Sequence, residues 1–233
     1  MYCRRSLFPS KQSANAAITS GNNTYQFAGA TFDVFESASD ARVGTIQMDS
    51  NGRAQATLLP NTAYYLVETK APAGYVPRHD RIAFTTGNDG GRVAIDEQPG
   101  TINLRIVKLD TATNAGPQVG SSLAGAEFTC VSQSTPGWAQ ILTTDESGQA
   151  TLADVPLGTF TIYESKAPEG YLPSNDSWTY TVGADQLGDS GVVEIESRIS
   201  DIPIAFDLEI SKFKDYGNSD QSGLEQPAEG VDR

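Results

Sequence analysis

The chain has 233 residues, 38% of them hydrophobic, and its 29 acidic residues outnumber 16 basic ones to give a net charge of −13 at pH 7. The basic residues form no cluster that could neutralise a phosphate backbone, so nucleic acid is not expected as a partner. No run reaches the roughly 18 apolar residues of a membrane span. His79 is the only histidine, which excludes a histidine-based metal cluster or a Ser-His-Asp triad in each repeat. No cofactor is predicted.

A long segment of the chain occurs twice at an offset of 96 residues. The sequence Tyr-Leu-Val-Glu-Thr-Lys-Ala-Pro-Ala-Gly-Tyr-Val-Pro at 65–77 returns as Thr-Ile-Tyr-Glu-Ser-Lys-Ala-Pro-Glu-Gly-Tyr-Leu-Pro at 161–173. Such a repeat predicts two copies of one domain, each of about 100 residues. We assign the domains to residues 1–100 and 101–205, and interpret residues 206–233 as the truncated start of a third module.

In the first copy, alternation of apolar and polar residues predicts strands with one buried face. Phe32 and Val34 are the predicted core positions of the first alternating run. No helical run of convincing length appears. The predicted strands and hairpin arms lie at residues 30–34, 54–58, 64–67, 81–86 and 93–95.

The second copy follows the junction Pro99-Gly100-Thr101 and repeats this pattern. A strand at 102–108 opens it, Phe128 and Cys130 are its predicted core residues, and residues 178–182 and 192–196 form a predicted hairpin. Short strands separated by Gly and Pro favour an all-β fold of two tandem β-sandwiches. Phe206 to Lys212 resembles a third opening strand, which we expect to be isolated or docked, followed by a mobile tail.

Three motifs of the second copy identify a family resemblance. They are Val-Lys-Leu-Asp at 107–110, Leu-Ala-Gly-Ala-Glu-Phe at 123–128 and Tyr-Glu-Ser-Lys-Ala-Pro-Glu-Gly-Tyr at 163–171. They resemble the Cna protein B-type domains, which are also found in SpaA-like pilins and adhesin stalks of Gram-positive bacteria. The resemblance covers nearly the whole chain, occurs twice, and implies a prealbumin-like (Ig-like) sandwich for each domain.

In many members of this family, a spontaneous isopeptide bond joins a lysine of the first strand to an Asn or Asp of the last. The resemblance implies that Lys108 is the nucleophile, Asp201 the carboxyl that is attacked and Glu164 the proton shuttle. We therefore expect these three residues to be adjacent. A dry interior favours the neutral amine and the protonated acid that such a reaction needs. Without the resemblance, Lys108 would be read as solvent-facing and Glu164 as a carboxylate that accepts backbone hydrogen bonds.

The first domain departs from the family pattern at the acceptor. Lys11 and the shuttle Glu68 match, but alignment of Pro99 with Pro203 puts Glu97 at the acceptor position and Asp96 beside it. A shift of one residue turns a strand side chain to the other face, so Asp96 is no simple substitute. The sequence leaves a bond in this domain open, and the extra methylene of Glu97 favours a crosslink in domain 2 alone.

The resulting functional prediction is a structural stalk of tandem modules in a cell-surface adhesin or minor pilin, located outside the cell at the cell wall. It is not an enzyme apart from single-turnover crosslinking, and its partners are neighbouring modules of the same longer chain. The alternative is a module that binds a host extracellular-matrix protein through its loops, for instance around Trp138. A solvent-exposed Trp138 would favour that alternative.

Overall fold

The computed structural model describes residues 4–205 and 208–211. These residues form fifteen strands, a one-turn helix α1 (Ala16–Thr19) and a 3-10 turn (Ala184–Gln186). Within the described ranges, no helix is long and apolar enough to cross a lipid bilayer. The strands are β1 (Arg5–Ser13), β2 (Thr31–Glu36), β3 (Ala41–Gln47), β4 (Ala56–Leu58), β5 (Ala63–Lys70), β6 (Ile82–Thr85), β7 (Gly91–Glu97), β8 (Thr101–Asp110), β9 (Glu127–Ser132), β10 (Ala139–Thr143), β11 (Gln149–Pro156), β12 (Gly158–Lys166), β13 (Tyr171–Leu172), β14 (Ser177–Val182) and β15 (Val192–Pro203).

The strands form four sheets that pair into two β-sandwiches, so the predicted all-β, prealbumin-like fold class is confirmed. In the first sandwich, sheet β4-β1-β7 faces sheet β3-β2-β5-β6. In the second, sheet β11-β8-β15-β13 faces sheet β10-β9-β12-β14. The two sandwiches share one strand plan, since β8 to β12, β14 and β15 repeat the pairings of β1 to β7.

Each core lies between two sheets and is built from the alternating residues that the sequence pattern indicated. Phe32 and Val34 are buried in the first core, and Phe128 and Cys130 are buried in the second. Each fully buried Phe contributes on the order of 2–3 kcal/mol of hydrophobic stabilisation. These four residues confirm the predicted core positions.

The first and last strands of each sandwich are parallel neighbours in the same sheet. β8 pairs with β15 from Thr101↔Val192 to Asp110↔Asp201, and β1 pairs with β7 from Leu7↔Gly91 to Ser13↔Glu97. The chain therefore enters each sandwich at one end of this pair and leaves it at the other. This arrangement brings residues near the two ends of a domain's sequence into contact.

The described residues up to Pro203 form one compact unit, and a second unit begins at Ile204. In the second unit, residues 208–211 have no strand. The rest of the expected opening strand at Phe206 to Lys212, together with the tail at 213–233, lies outside the described residues. The division of the chain into domains at 1–100, 101–205 and 206–233 stays a prediction.

Candidate functional site

The second sandwich contains a buried cluster of one lysine and two carboxyl groups. The Nζ atom of Lys108 lies 2.6 Å from Oε1 of Glu164 and 2.5 Å from Oδ1 of Asp201. All three side chains are fully buried. Three ionisable groups without access to water are costly unless they neutralise one another by charge pairing or proton transfer.

Each member of this cluster is positioned by a strand. Lys108 faces inward because it belongs to the alternating set of β8 that also buries Leu104 and Ile106. Asp201 faces the same core from β15, opposite Asp110 in the parallel register. Lys108 is therefore two positions before Asp110, the register partner of Asp201, a distance that the long lysine side chain spans.

Glu164 lies at a β-bulge. The pairing of β12 with β9 changes register between Glu164, which is opposite Phe128, and Lys166, which is opposite Glu127. One extra residue, Ser165, occupies the bulge, and such irregularities re-aim side chains. As a result Glu164 is buried while Lys166 is 63% exposed. A backbone hydrogen bond from the N–H of Ser174 to Oε2, 2.8 Å long, fixes the carboxylate of Glu164.

The contact between Lys108 and Asp201 is short but does not have hydrogen-bond geometry. Lys108 makes its hydrogen bond to Glu164, whereas neither carboxyl oxygen of Asp201 has a hydrogen-bond partner in the structure. Burial raises the pKa of Asp201 from 3.8 to about 6, against the opposing effect of Lys108. The raised pKa makes the protonated carboxyl, which is the electrophilic form, more accessible than it is for an exposed aspartate.

Neighbouring groups complete the pocket around the buried cluster of Lys108, Glu164 and Asp201. The ring of Phe128 lies beneath the lysine, with its centroid 5.0 Å from Nζ, so its face attracts the ammonium form. At the end of β8, the hydroxyl of Tyr171 donates to Oδ2 of Asp110 over 2.8 Å. Burial acts to raise the pKa of Asp110, but hydrogen bonds from Tyr171 and from the backbone lower it overall. Asp110 is therefore held as a carboxylate at the end of β8, where it is bonded to Tyr171 and not to Lys108.

The first sandwich has a cluster of the same design. Nζ of Lys11 lies 2.7 Å from Oε1 of Glu68 and 2.7 Å from Oε1 of Glu97, and all three side chains are buried. The ring of Phe32 lies 4.5 Å from Nζ, and the backbone N–H of Arg78 donates to Oε2 of Glu68 over 2.8 Å. The β2–β5 pairing also changes register beside Glu68. The bulge is therefore part of both clusters.

Asp96, the other acid considered for this domain, is on the opposite face of β7. Its side chain is exposed and accepts a 2.6 Å hydrogen bond from Nε2 of Gln12, while Glu97 next to it is buried. The reason is the two-residue period of the strand. In the register, Glu97 is opposite Ser13 as Asp201 is opposite Asp110, so Glu97 is the structural counterpart of Asp201.

The two clusters differ in charge. Arg78 of the first sandwich and Ser174 of the second occupy equivalent positions 96 residues apart. Burial raises the pKa of Glu97, and the positive charges of Lys11 and Arg78 oppose that rise. Glu97 and Arg78 also line a cavity of about 240 Å³. Burial therefore raises the pKa of the buried acid on the last strand in both domains, and an arginine opposes that rise in domain 1.

Trp138 is half-buried and packs against the second hydrophobic core. The lysines of the repeated turn, Lys70 and Lys166, are exposed, as is His79. Trp138 therefore offers no exposed aromatic platform for a partner, and these other residues lie outside the buried clusters.

Sequence reasoning missed the residues that hold Glu68 and Glu164 in place. Arg78 and Ser174 come directly after the matched repeat segments, which end at Pro77 and Pro173. Arg78 and Ser174 each fix a glutamate through the backbone N–H group, and a backbone donor leaves no pattern in the side-chain sequence. The sequence does contain one signal that could have found them: each backbone donor follows its glutamate by ten residues in both domains.

Replacing Lys108 with methionine should make stability depend on pH with a definite sign. Without the cation, burial of Asp201 beside Glu164 keeps its folded-state pKa at or above about 6, against 3.8 when unfolded. The folded state then binds more protons between these values, so stability is greatest below about pH 4 and falls by about 3 kcal/mol as pH rises through the folded pKa. Urea unfolding at pH 4.5 and 8 measures this, with Lys166→Met as the exposed control. A Lys108→Met protein that is more stable at pH 8 would contradict it.

Comparisons with known proteins agree with this fold. The sequence model of the SpaA prealbumin-like fold domain matches residues 16–99 and 103–196. Comparison with curated protein sequences gave no match. Among solved structures, the Bacillus anthracis TIE protein has a TM-score of 0.63 and 22% identity, covering 86% of this chain and 34% of that one. A C-terminal fragment of the pilus adhesin SpaC from Lactobacillus rhamnosus GG has a TM-score of 0.51 and 17% identity, covering 89% of this chain and 100% of the fragment.

At these identities the solved structures show a common fold, and this chain spans about a third of the length of the Bacillus anthracis protein. The sequence match carries more weight, because its two consecutive segments make up about three quarters of the chain. They correspond to the two sandwiches described above. The protein therefore belongs to the SpaA prealbumin-like fold domain family, of which it contains two tandem copies.

Proposed function

We propose that this chain is a stalk segment of a surface adhesin or pilin, made inextensible by an intramolecular isopeptide bond between Lys108 and Asp201. The observation that carries the proposal is the buried contact of Lys108 with Glu164 on one side and Asp201 on the other. An ammonium and a carboxyl held in a dry site at 2.5 Å are in the arrangement that condensation requires. A second, independent support is the parallel pairing of the strands that carry them.

The reaction needs only groups that the cluster contains. The carboxylate of Glu164 takes a proton from the ammonium of Lys108, and the resulting amine attacks Cγ of protonated Asp201. In the tetrahedral intermediate, the attacking nitrogen gives a proton to the hydroxyl that came from the Asp201 carboxyl. That hydroxyl then leaves as water. The products are one amide bond, one water and a protonated Glu164. Because the hydrogen bond from Ser174 fixes Glu164, the shuttle does not have to move far.

The bond has a mechanical consequence that follows from the topology. Force applied to the ends of domain 2 enters at Thr101 and leaves at Pro203, which are at opposite ends of the parallel β8–β15 pair. With Lys108 joined to Asp201, the covalent path runs from 101 to 108 and then from 201 to 203. Residues 109–200 carry no tension, so the sandwich cannot be unravelled by pulling its ends.

In domain 1, we assign Lys11, Glu68 and Glu97 to a charge cluster that stays uncrosslinked. Glu97 is one methylene longer than an aspartate, which moves its carbonyl carbon away from the position that Asp201 provides in domain 2. Burial raises the pKa of Glu97, and the charge of Arg78 acts against that rise. The cluster still ties β1 to β7, because removal of one partner would leave a buried charge unpaired. A crosslink in domain 2 alone is therefore the expected state of this segment.

Neighbouring modules of a longer chain are the proposed partners, and the outer surface of a Gram-positive cell is the proposed location. The SpaC fragment of similar fold comes from a pilus adhesin, which agrees with such a role. The half-buried position of Trp138 gives no support to the alternative in which this residue contacts a host-matrix protein. Turnover catalysis is not part of the proposal, because the crosslinking reaction consumes its own residues.

Intact mass measurement tests the proposal directly. The wild-type protein is expected to be lighter than its sequence mass by one water, and Lys108→Arg to recover the full mass because a guanidinium does not form the amide. Lys166→Arg, an exposed lysine of the repeated turn, serves as the matched control and should keep the deficit. Peptide mapping should join the peptides of Lys108 and Asp201. A wild-type protein at full mass would overturn the crosslink and leave only the fold assignment.

A further inference from the structure

The junction between the two sandwiches is unusually tight. β7 ends at Glu97 and β8 begins at Thr101, so only residues 98–100 connect them. At Gly100 an added Cβ would lie 2.4 Å from Cδ2 of Leu187, and at Gly191 it would lie 2.3 Å from Cγ2 of Val76. Leu187 and Gly191 belong to the second sandwich, and Val76 to the first. The backbone of each sandwich therefore approaches side chains of the other at van der Waals distance.

A segment of the first sandwich enters the end of the second. We call residues 15–27, which connect β1 to β2 and include α1, the docking segment. The amide of Asn22 donates to Oγ1 of Thr135 over 2.9 Å and to the carbonyl of Leu157 over 2.8 Å. Thr135 in turn donates to the carbonyl of Ile18 over 2.9 Å. All of these hydrogen bonds are buried, where unpaired partners would be costly.

Tyr25 of the docking segment joins three parts of the molecule. Its hydroxyl donates to the carbonyl of Gly100 and accepts from the N–H of Leu157, each over 2.8 Å. Burial raises the pKa of Tyr25 to about 12, so the hydroxyl keeps its proton and remains a donor at neutral pH. The ring packs edge to face on Tyr75, with centroids 5.6 Å apart. These two tyrosines are part of the hydrophobic cluster whose other buried members all belong to the second sandwich.

The docking segment is not a general feature of the repeated module. The corresponding stretch of domain 2, residues 111–122, has no tyrosine and no helix, and nearly all of it is exposed. Its Asp110 and Tyr171 bond each other within domain 2. Asn22 and Tyr25 thus lie in the part of the first domain where the repeat breaks down. Their buried partners are in the second domain, which indicates that they serve the junction.

We infer that the docking segment is an interaction surface whose partner is the end of the following module, where it binds Thr135 and Leu157. Beside it, Leu187 and Gly191 of the same module pack against Gly100 and Val76. It locks the two sandwiches into one rigid body that reorients as a unit. In a stalk, a role that rests on the proposed function, such a joint resists bending between modules. The joint itself does not require the isopeptide bond, because none of its contacts involves Lys108 or Asp201.

The inference is tested on the full chain by NMR relaxation and amide hydrogen exchange. In the wild type, backbone relaxation should give one rotational correlation time for both sandwiches, and the N–H of Leu157 should be strongly protected. The double variant Asn22→Ala/Tyr25→Phe removes the hydrogen bonds that these two side chains make at the joint, leaves the bond from Thr135 to the carbonyl of Ile18, and removes no contact within either sheet. Its two sandwiches should reorient independently, and exchange at Leu157 should rise at least about tenfold.

A matched control uses the same substitutions at exposed sites, Asn23→Ala and Tyr163→Phe, and should resemble the wild type. Separate correlation times in the wild type would overturn the rigid joint, and this measurement holds even if the double variant fails to fold. Unchanged tumbling and exchange in a folded double variant would overturn the role of Asn22 and Tyr25. Intact mass of the same samples reports the crosslink separately, so failure of the joint and failure of the proposed function are distinguishable.

Discussion

Replacing Glu164 with alanine is expected to leave domain 2 folded but to restore the full mass calculated from the variant's own sequence, without the one-water deficit expected of the wild type. Glu164 is the only described group that hydrogen-bonds Lys108 through its side chain, so without it the ammonium has no acceptor for its proton. The carboxyl of Asp201 remains in contact with Lys108, and the two can form an ion pair in place of the amide. Mass spectrometry of the purified variant measures the result.

Loss of the crosslink should also lower stability strongly. The amide closes a ring from Lys108 to Asp201, and by analogy with a disulfide its loss frees unfolded-state entropy worth about 4 kcal/mol. Removal of the buried Glu164 adds a smaller cost, because the backbone N–H of Ser174 loses its acceptor. Chemical denaturation of wild type and variant should show this difference in the midpoint for domain 2.

Two controls separate shuttle chemistry from damage to the core. Glu68→Ala is the matched substitution in domain 1 and should keep the wild-type deficit of one water relative to its own sequence mass. Glu164→Gln keeps the volume and the hydrogen bond from Ser174 but accepts no proton, so like Glu164→Ala it should have the full mass of its own sequence. A glutamine variant that still lacks one water would refute the assignment of Glu164 as the proton acceptor.

The fold could be predicted from the sequence because its signals are local and repeated. Alternation around Phe32 and Phe128 reveals the buried faces, and the constant 96-residue offset shows that both domains follow one plan. The meeting of Lys108, Glu164 and Asp201 was expected from motif resemblance, and the parallel register of β8 and β15 is the physical cause of it. Their chemical roles remain proposals.

Other features had no sequence signal of that kind. The bulge at Ser165 re-aims Glu164 without any break in the apolar pattern. The proposed joint depends on Asn22 and Tyr25, whose hydrogen-bond partners at the joint lie 75 or more residues away in the sequence. Contacts of this type follow from the packing of whole domains. A pattern read along one strand contains no information about them.

Converting the acceptor site of domain 1 to that of domain 2 is expected to create a second crosslink. The double variant Arg78→Ser/Glu97→Asp gives Lys11 a short acceptor at the register position of Asp201, and it removes the guanidinium that favours the carboxylate. The backbone N–H at position 78 still fixes Glu68, since serine supplies the same donor in domain 2. The purified protein should be two waters lighter than its sequence mass, and the ring closed from 11 to 97 should add about 4 kcal/mol to the stability of domain 1.

The single variants show which difference matters. Glu97→Asp alone tests side-chain length, and Arg78→Ser alone tests charge; we expect the double variant to crosslink most completely, because electrophilicity and reach must both be met. Adding Lys11→Arg should return the deficit to one water, which proves that the new bond uses Lys11. A wild type already two waters short would show that Glu97 reacts as it stands. A double variant still one water short would show that neither length nor charge blocks domain 1, and that the packing around Lys11 decides.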